Sequence, residues 1–278
     1  MEKLMEAGRR HPFAAFVVLA YAGSWLGWAP MWASRNGLGI LPIELPFAAI
    51  AGFNQLGLFL GPFAAAFLVT RLLHGREGVR KLWRKMFQWR VHPCWYFAAV
   101  VAIPVSIVGS YLLSGSHPAG ATSIGALAVS FVVFLLGGPV QEEPGWRGVA
   151  LPLLQERFST FNAALILGFV HTFWHLPMFT VREWDTAGGN PSQLVAYLVL
   201  VLSLSVILAW LFDAAPGSLL PVILAHNAVN WALVAFMGEA ADNSWPAALG
   251  LLVFALLVVL TGRLRASRAH RTPRSSMA

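Results

Sequence analysis

The chain has 278 residues, 58% of them hydrophobic and only 11% charged, against about a quarter charged in an ordinary soluble domain. That balance excludes a water-soluble enzyme, and 19 Phe with 12 Trp exclude a disordered or low-complexity polymer. A single cysteine, Cys94, rules out an internal disulfide and any thiolate-rich zinc or iron–sulfur centre, while the net charge of +7 takes its meaning from where the cations fall.

Apolar runs able to cross about 30 Å of hydrocarbon, roughly 20 residues at helical rise, recur along the whole chain. In order they predict transmembrane helices near Pro12–Ala33, Phe47–Leu73, Cys94–Leu113, Thr122–Leu154, Phe161–Thr180, Ser192–Phe212, Leu219–Met237 and Trp245–Thr261. The expected fold is therefore all-α, a polytopic membrane protein with about eight transmembrane helices in a single membrane-embedded domain over 1–278. Lys3 to Ala22 also has the basic start and the Ala20-Tyr21-Ala22 pattern of a cleaved signal peptide. Apolar character running on to Trp32 favours a retained first span instead.

With the N-terminus inside, every Lys and Arg of the chain except Arg35 and Arg182 falls in an inside segment. Cytoplasmic loops carry that excess, so both termini are expected in the cytoplasm. Residues 75–90 (GREGVRKLWRKMFQWR) put Val79, Leu82, Trp83, Met86 and Phe87 on one helical side, which reads as an interfacial amphipathic helix resting on anionic lipid. Nucleic acid is the weaker reading of that stretch and is not expected as a partner. The basic tail at 264–278 is expected to be solvated and cytoplasmic.

Ionisable side chains inside spans cost about 2.5–3.5 kcal/mol each on insertion scales and mark function by default. They gather in three places here: Gln141, Glu142, Glu143 and Arg147 in span four, His171 and His175 in span five, and His226, Asn227 and Asn230 in span seven. Glu143 and Arg147 are four apart, so one helical face brings the cation to the carboxylate. Glu142 points about 100° away, which gives two adjacent acids different surroundings. His171 and His175 share one face, as do His226 and Asn230; a lone histidine such as His171 is more often a packing residue than a ligand. The three groups meet only if span four runs past the acid pair to about Leu154, a long helix broken by Pro139, Pro144 and Pro152. Otherwise both acids sit at the cytoplasmic surface and the groups never meet.

A carboxylate, imidazoles and an amide in a wet cavity of low dielectric are the parts for hydrolysis: the acid takes a proton from water and a His/Asn pair donates to the developing oxyanion. No serine carries a G-x-S-x-G elbow, and HTFWH lacks the glutamate of the soluble zinc-protease motif. A divalent metal such as zinc on Glu142, His175 and His226 and a metal-free, glutamate-activated water both fit the sequence.

EEPGWRG from Glu142 to Gly148, WHLP from Trp174 to Pro177 and HNAVN from His226 to Asn230 resemble the three motifs of the CPBP family, the CAAX prenyl endopeptidases and Abi-type intramembrane proteases. The likeness covers roughly 120–235, which would be the catalytic core. EExxxR is complete as Glu142, Glu143 and Arg147, and HxxxN as His226 and Asn230. In FxxxH the histidine is His175, but His171 stands where an aromatic is expected. The resemblance implies a helical intramembrane endopeptidase in which Glu142 and His175 activate water, His226 and Asn230 stabilise the oxyanion, and Glu143 and Arg147 support the acid motif. Its substrate would be a membrane-associated or CAAX-like peptide, and its setting a bacterial inner membrane. A proton-coupled transporter and a noncatalytic immunity or scaffold protein are the rival classes.

Overall fold

The computed structural model describes residues 2–117, 123–184, 190–237 and 242–261; the basic tail expected at 264–278 lies outside the described residues. These residues fold into helices and turns, with no strand among them. The order is α1 (Glu2–Arg10), α2 (Pro12–Gly27), α3 (Ala29–Ala33), α4 (Phe47–Leu58), α5 (Ala64–Phe87), α6 (Pro93–Phe97), α7 (Ile103–Leu113), α8 (Ile124–Leu136), α9 (Pro139–Gly145), α10 (Leu151–Gln155), α11 (Thr160–Trp174), α12 (Pro191–Ala214), α13 (Leu220–Trp231) and α14 (Trp245–Leu260). Widened π turns join α4 to α5, α6 to α7 and α9 to α10.

Among the described residues four helical runs, Phe47–Phe87, Pro93–Leu113, Ile124–Gln155 and Pro191–Ala214, are long and apolar enough to cross a membrane. Pro12–Gly27, Thr160–Trp174, Leu220–Ala235 and Trp245–Leu260 are shorter apolar helices, and these eight segments occupy the eight expected spans. The chain is an all-α integral membrane protein. Its outer faces carry the surface that hydrocarbon demands: Leu26, Phe47, Leu113, Ile124 and Leu260 are each more than 70% exposed. A patchwork of that extent would drive a water-soluble chain to aggregate.

Burial sorts the helices. α12 is apolar on every side and buried over most of its length, from Leu200 through Leu211, as expected of a helix at the centre of a bundle. It packs against α11, α13 and α14. At the other extreme α8 buries no residue, so its flanks face the bilayer.

Two boundaries differ from the sequence reading. The amphipathic stretch at 75–90 is the continuation of α5, set off from it by a kink at Gly75 (φ 64°, ψ −156°), with Leu82 and Met86 turned inward and Trp83 and Phe87 exposed. The fifth span ends as an α-helix at Trp174 and continues as a 3₁₀ turn over Leu176–Thr180, because the residue before Pro177 is disfavoured in the α region.

The fourth span breaks at the Gly137–Gly138 pair, and Pro139 opens α9 at a position where its missing N–H costs nothing. Pro144 lies inside α9 and withholds a hydrogen bond from the turn before it; the π turn Trp146–Ala150 follows at once. α9 is seated by a close approach. A Cβ on Gly145 would stand 2.6 Å from the Pro62 carbonyl oxygen and 3.0 Å from the Phe16 ring. Gly145→Ala is therefore expected to cost about 1–3 kcal/mol by overpacking, read as a lowered unfolding midpoint in detergent; an unchanged midpoint would contradict this packing.

Candidate active site

Span four runs on to Gln155, and this length carries the acid pair inward to the histidines. Glu142 and Glu143 are 5% and 0% exposed, and Arg147, His171, His175 and His226 are all buried. The three groups meet in one constellation built from α9, α11 and α13, with the π turn after α9 supplying Arg147.

Each acid has its own partners. Arg147 Nη1 donates to both oxygens of Glu143, at 3.0 and 3.3 Å, and His226 Nδ1 lies 2.6 Å from Glu143 Oε1. Glu143 thus ties α13 to α9 while its charge is balanced by the guanidinium. The pair is not a two-nitrogen fork, since Arg147 Nε is buried without a hydrogen-bond partner. With Nδ1 committed to Glu143, His226 presents Nε2 as its remaining polar atom.

Glu142 faces α11 instead. His171 Nε2 stands 3.0 Å from Glu142 Oε2, so the histidine given a packing role by sequence reasoning is the one hydrogen-bonded to this acid. The His171 ring stacks on Trp146 at 4.9 Å and on His175 at 5.0 Å between centroids. His175 sits at the end of α11, where its Nδ1 lies 3.1 Å from the His171 carbonyl oxygen, between Trp174 at 4.5 Å and the edge of Tyr197 at 5.8 Å. The 3₁₀ turn begun by Pro177 holds it there.

Glu142 Oε1 and the Asn230 amide border one small gap. A Cβ on Gly138 would lie 3.3 Å from Glu142 Oε1 and 3.7 Å from Asn230 Nδ2. Glycine at this joint keeps the space between carboxylate and amide clear. Asn227, next to His226, points elsewhere and donates to the Phe131 carbonyl of α8 at 3.1 Å.

Sequence reasoning passed over Trp146, Trp174, Tyr197 and Gly138. Their signal was weak, because a Trp in a chain holding 12 of them is unremarked until a histidine is seen against its face.

Among the described residues no group of three or more His, Cys, Asp or Glu side chains stands ready to hold a metal ion. One oxygen of Glu142 is taken by His171 and one nitrogen of His226 by Glu143. What the constellation offers is a carboxylate with one oxygen beside Gly138, braced by imidazole, near an amide and a second imidazole on a neutralised acid.

Fold and site define a polytopic helical protein with a buried Glu/His/Asn centre. Residues 123–232 match the family model described as Type II CAAX prenyl endopeptidase, Rce1-like. The CAAX prenyl protease 2 of Methanococcus maripaludis is 25% identical over 153 residues, 52% of this chain and 56% of that protein. The chain thus matches little more than half the length of this curated relative. Over the matched segment the chain is similar to the CAAX prenyl endopeptidases.

Proposed function

We propose that the protein is an intramembrane endopeptidase acting on a membrane-associated or CAAX-like peptide. The observation that carries this reading is a buried carboxylate, Glu142, whose Oε2 is held by His171 while its Oε1 borders the same gap as the Asn230 amide. The family-model match over 123–232 and the printed activity of the relative support it.

In this reading a water in the gap attacks the scissile carbonyl carbon and gives its proton to Glu142 Oε1. His171 braces the carboxylate, and His175, stacked on His171, lines the side from which the peptide approaches. The developing oxyanion accepts from Asn230 Nδ2–H and from His226 Nε2–H, with Glu143 and Arg147 balancing charge behind the imidazole. The tetrahedral carbon then expels the amine as the C–N bond breaks, and the proton held by Glu142 passes to the leaving nitrogen. The products are one carboxylic acid and one amine. No step requires a metal; a divalent cation on Glu142, His175 and His226 is the alternative, and it requires those side chains to rearrange.

The test is cleavage of prenylated and unprenylated C-terminal CAAX peptides by the purified full chain. Wild type is expected to cleave and Glu142→Gln to fail. Cleavage by Glu142→Gln at the wild-type rate, or proton-driven flux without hydrolysis in liposomes, would overturn the proposal. Loss of activity on chelation, restored by zinc, would replace the metal-free route with the metal-bound one.

We further infer that both termini face the cytoplasm of a bacterial inner membrane, from the placement of the cations. Cys94, the sole cysteine and exposed, follows the basic loop. An impermeant thiol reagent is expected to label it in inside-out vesicles and not in intact spheroplasts; the opposite pattern would invert the topology.

A further inference from the structure

We propose that a cavity at the end of α5 binds the phosphate of an anionic phospholipid headgroup. This cavity, about 590 Å³ in volume, is lined by Lys81, Arg84, Lys85 and Arg90 together with Phe87 and Trp89, and by Gly217 in the α12–α13 turn. Its size falls in the usual range for small-molecule sites.

Charge is the first argument. Four cations converge on one concavity and no acid lines it. Four cations outside the cavity have acids of their own: Arg10 pairs with Glu6, Arg80 with Glu77, Arg147 with Glu143 and Arg182 with Glu44. None of the four lining cations has a carboxylate within ion-pair distance among the described residues. Glu77, already paired with Arg80, also attracts Lys81 and Arg84 from outside the cavity; one shared acid leaves the gathered like charges repelling one another, and a bound anion reduces that repulsion.

Construction is the second. The Leu219 N–H donates to the Lys85 carbonyl at 2.7 Å, and the Ser218 hydroxyl donates to the Gln88 carbonyl. These bonds fasten the α12–α13 turn to the end of α5, so the walls belong to two elements locked together. Arg90 lies over the Trp89 ring at 5.4 Å and Lys85 over Phe212 at 5.9 Å, which holds both cations in place.

Depth is the third argument, and it selects a lipid over a free anion. Phe87 and Trp89 are 65% and 64% exposed beside the cavity, with Trp83 one turn back and stacked on Phe87 at 6.0 Å. Exposed aromatics beside cations, just past a hydrocarbon-spanning helix, mark the headgroup level of a bilayer. A phosphodiester in the cavity would leave its acyl chains along those rings.

The full chain, purified in detergent with an equimolar mixture of phosphatidylglycerol and phosphatidylcholine, is examined by native mass spectrometry for retained lipid. Phosphatidylglycerol is expected to be retained preferentially, and Arg84→Gln and Arg90→Gln each to lower retention about fivefold. Arg76→Gln, exposed and outside the cavity, is expected to leave it unchanged. Equal retention of both lipids, or wild-type retention by the Arg84 and Arg90 variants, would overturn the site. Displacement of the lipid by millimolar inorganic phosphate would make it a free-phosphate site and overturn the lipid assignment. Failure of any arm leaves the peptidase reading untouched, since none of these residues belongs to the Glu/His centre.

Discussion

Exchanging Glu142 for glutamine is expected to slow peptide cleavage about 10²–10⁴-fold, the usual contribution of a general base, while leaving the protein folded. The amide matches the carboxylate in shape and can still accept from His171 Nε2 through its oxygen, so the α9–α11 contact survives. It cannot take a proton from water. The loss should therefore appear in kcat with little change in KM, because the lesion is felt in the transition state and not in peptide binding. Initial cleavage rates measured beside the unfolding midpoint separate the two effects. A variant with unaltered kcat would remove Glu142 from the chemistry, whereas one with a collapsed midpoint would make it a structural acid.

Arg147→Met is expected to have the largest effect on stability. The guanidinium is 1% exposed and is the cation paired with Glu143, itself 0% exposed. Removing it leaves a buried carboxylate with the His226 imidazole as its remaining partner, and breaking a buried pair in this way typically costs about 3–5 kcal/mol. Part of that cost is specific to the pairing. The double variant Glu143→Leu with Arg147→Met removes both charges and is expected to recover part of the loss, since apolar replacement of a whole buried pair is often neutral, the remainder falling to His226 Nδ1, which loses its acceptor. Arg147 Nε, already buried without a partner, adds to the expected recovery. Denaturant unfolding of the two single variants and the double variant gives the coupling directly; additive losses would mean that the two side chains do not act as a pair.

The eight spans were legible because hydrocarbon leaves a chain few options: runs from Phe47 onward had to be helical to satisfy their backbones. The three polar groups were legible for the same reason, as ionisable residues are rare at such depth. Their pairing was not. Spacing correctly put His171 and His175 on one face, yet spacing is blind to which of two neighbours one turn apart lies level with a carboxylate on another helix. Where α11 stops decided the matter locally: Pro177 ends the helix, and His175 is turned back toward its own carbonyl column. Glu143 illustrates the same limit. Its bond to Arg147 follows from an i,i+4 interval, but its bond to His226 spans 83 residues, and no local pattern announces it. The small gap at Gly138 was hidden too, for a glycine pair in sequence looks like any flexible joint.

α8, the helix that buries no residue, is moored to its neighbour by polar bonds: Asn227 donates to the Phe131 carbonyl, and Trp231 Nε1–H donates to the Leu127 carbonyl and to the Ser130 hydroxyl. Lipid tails are as apolar as the flank of α8 itself, so these moorings, the Gln141 bond to the Leu136 carbonyl and the joint to α9 keep the helix in register. Asn227 is also the immediate neighbour of His226 on the chain. A bilayer thick or thin enough to strain α8 along its axis would load the Asn227 bond first, one residue from the imidazole held by Glu143.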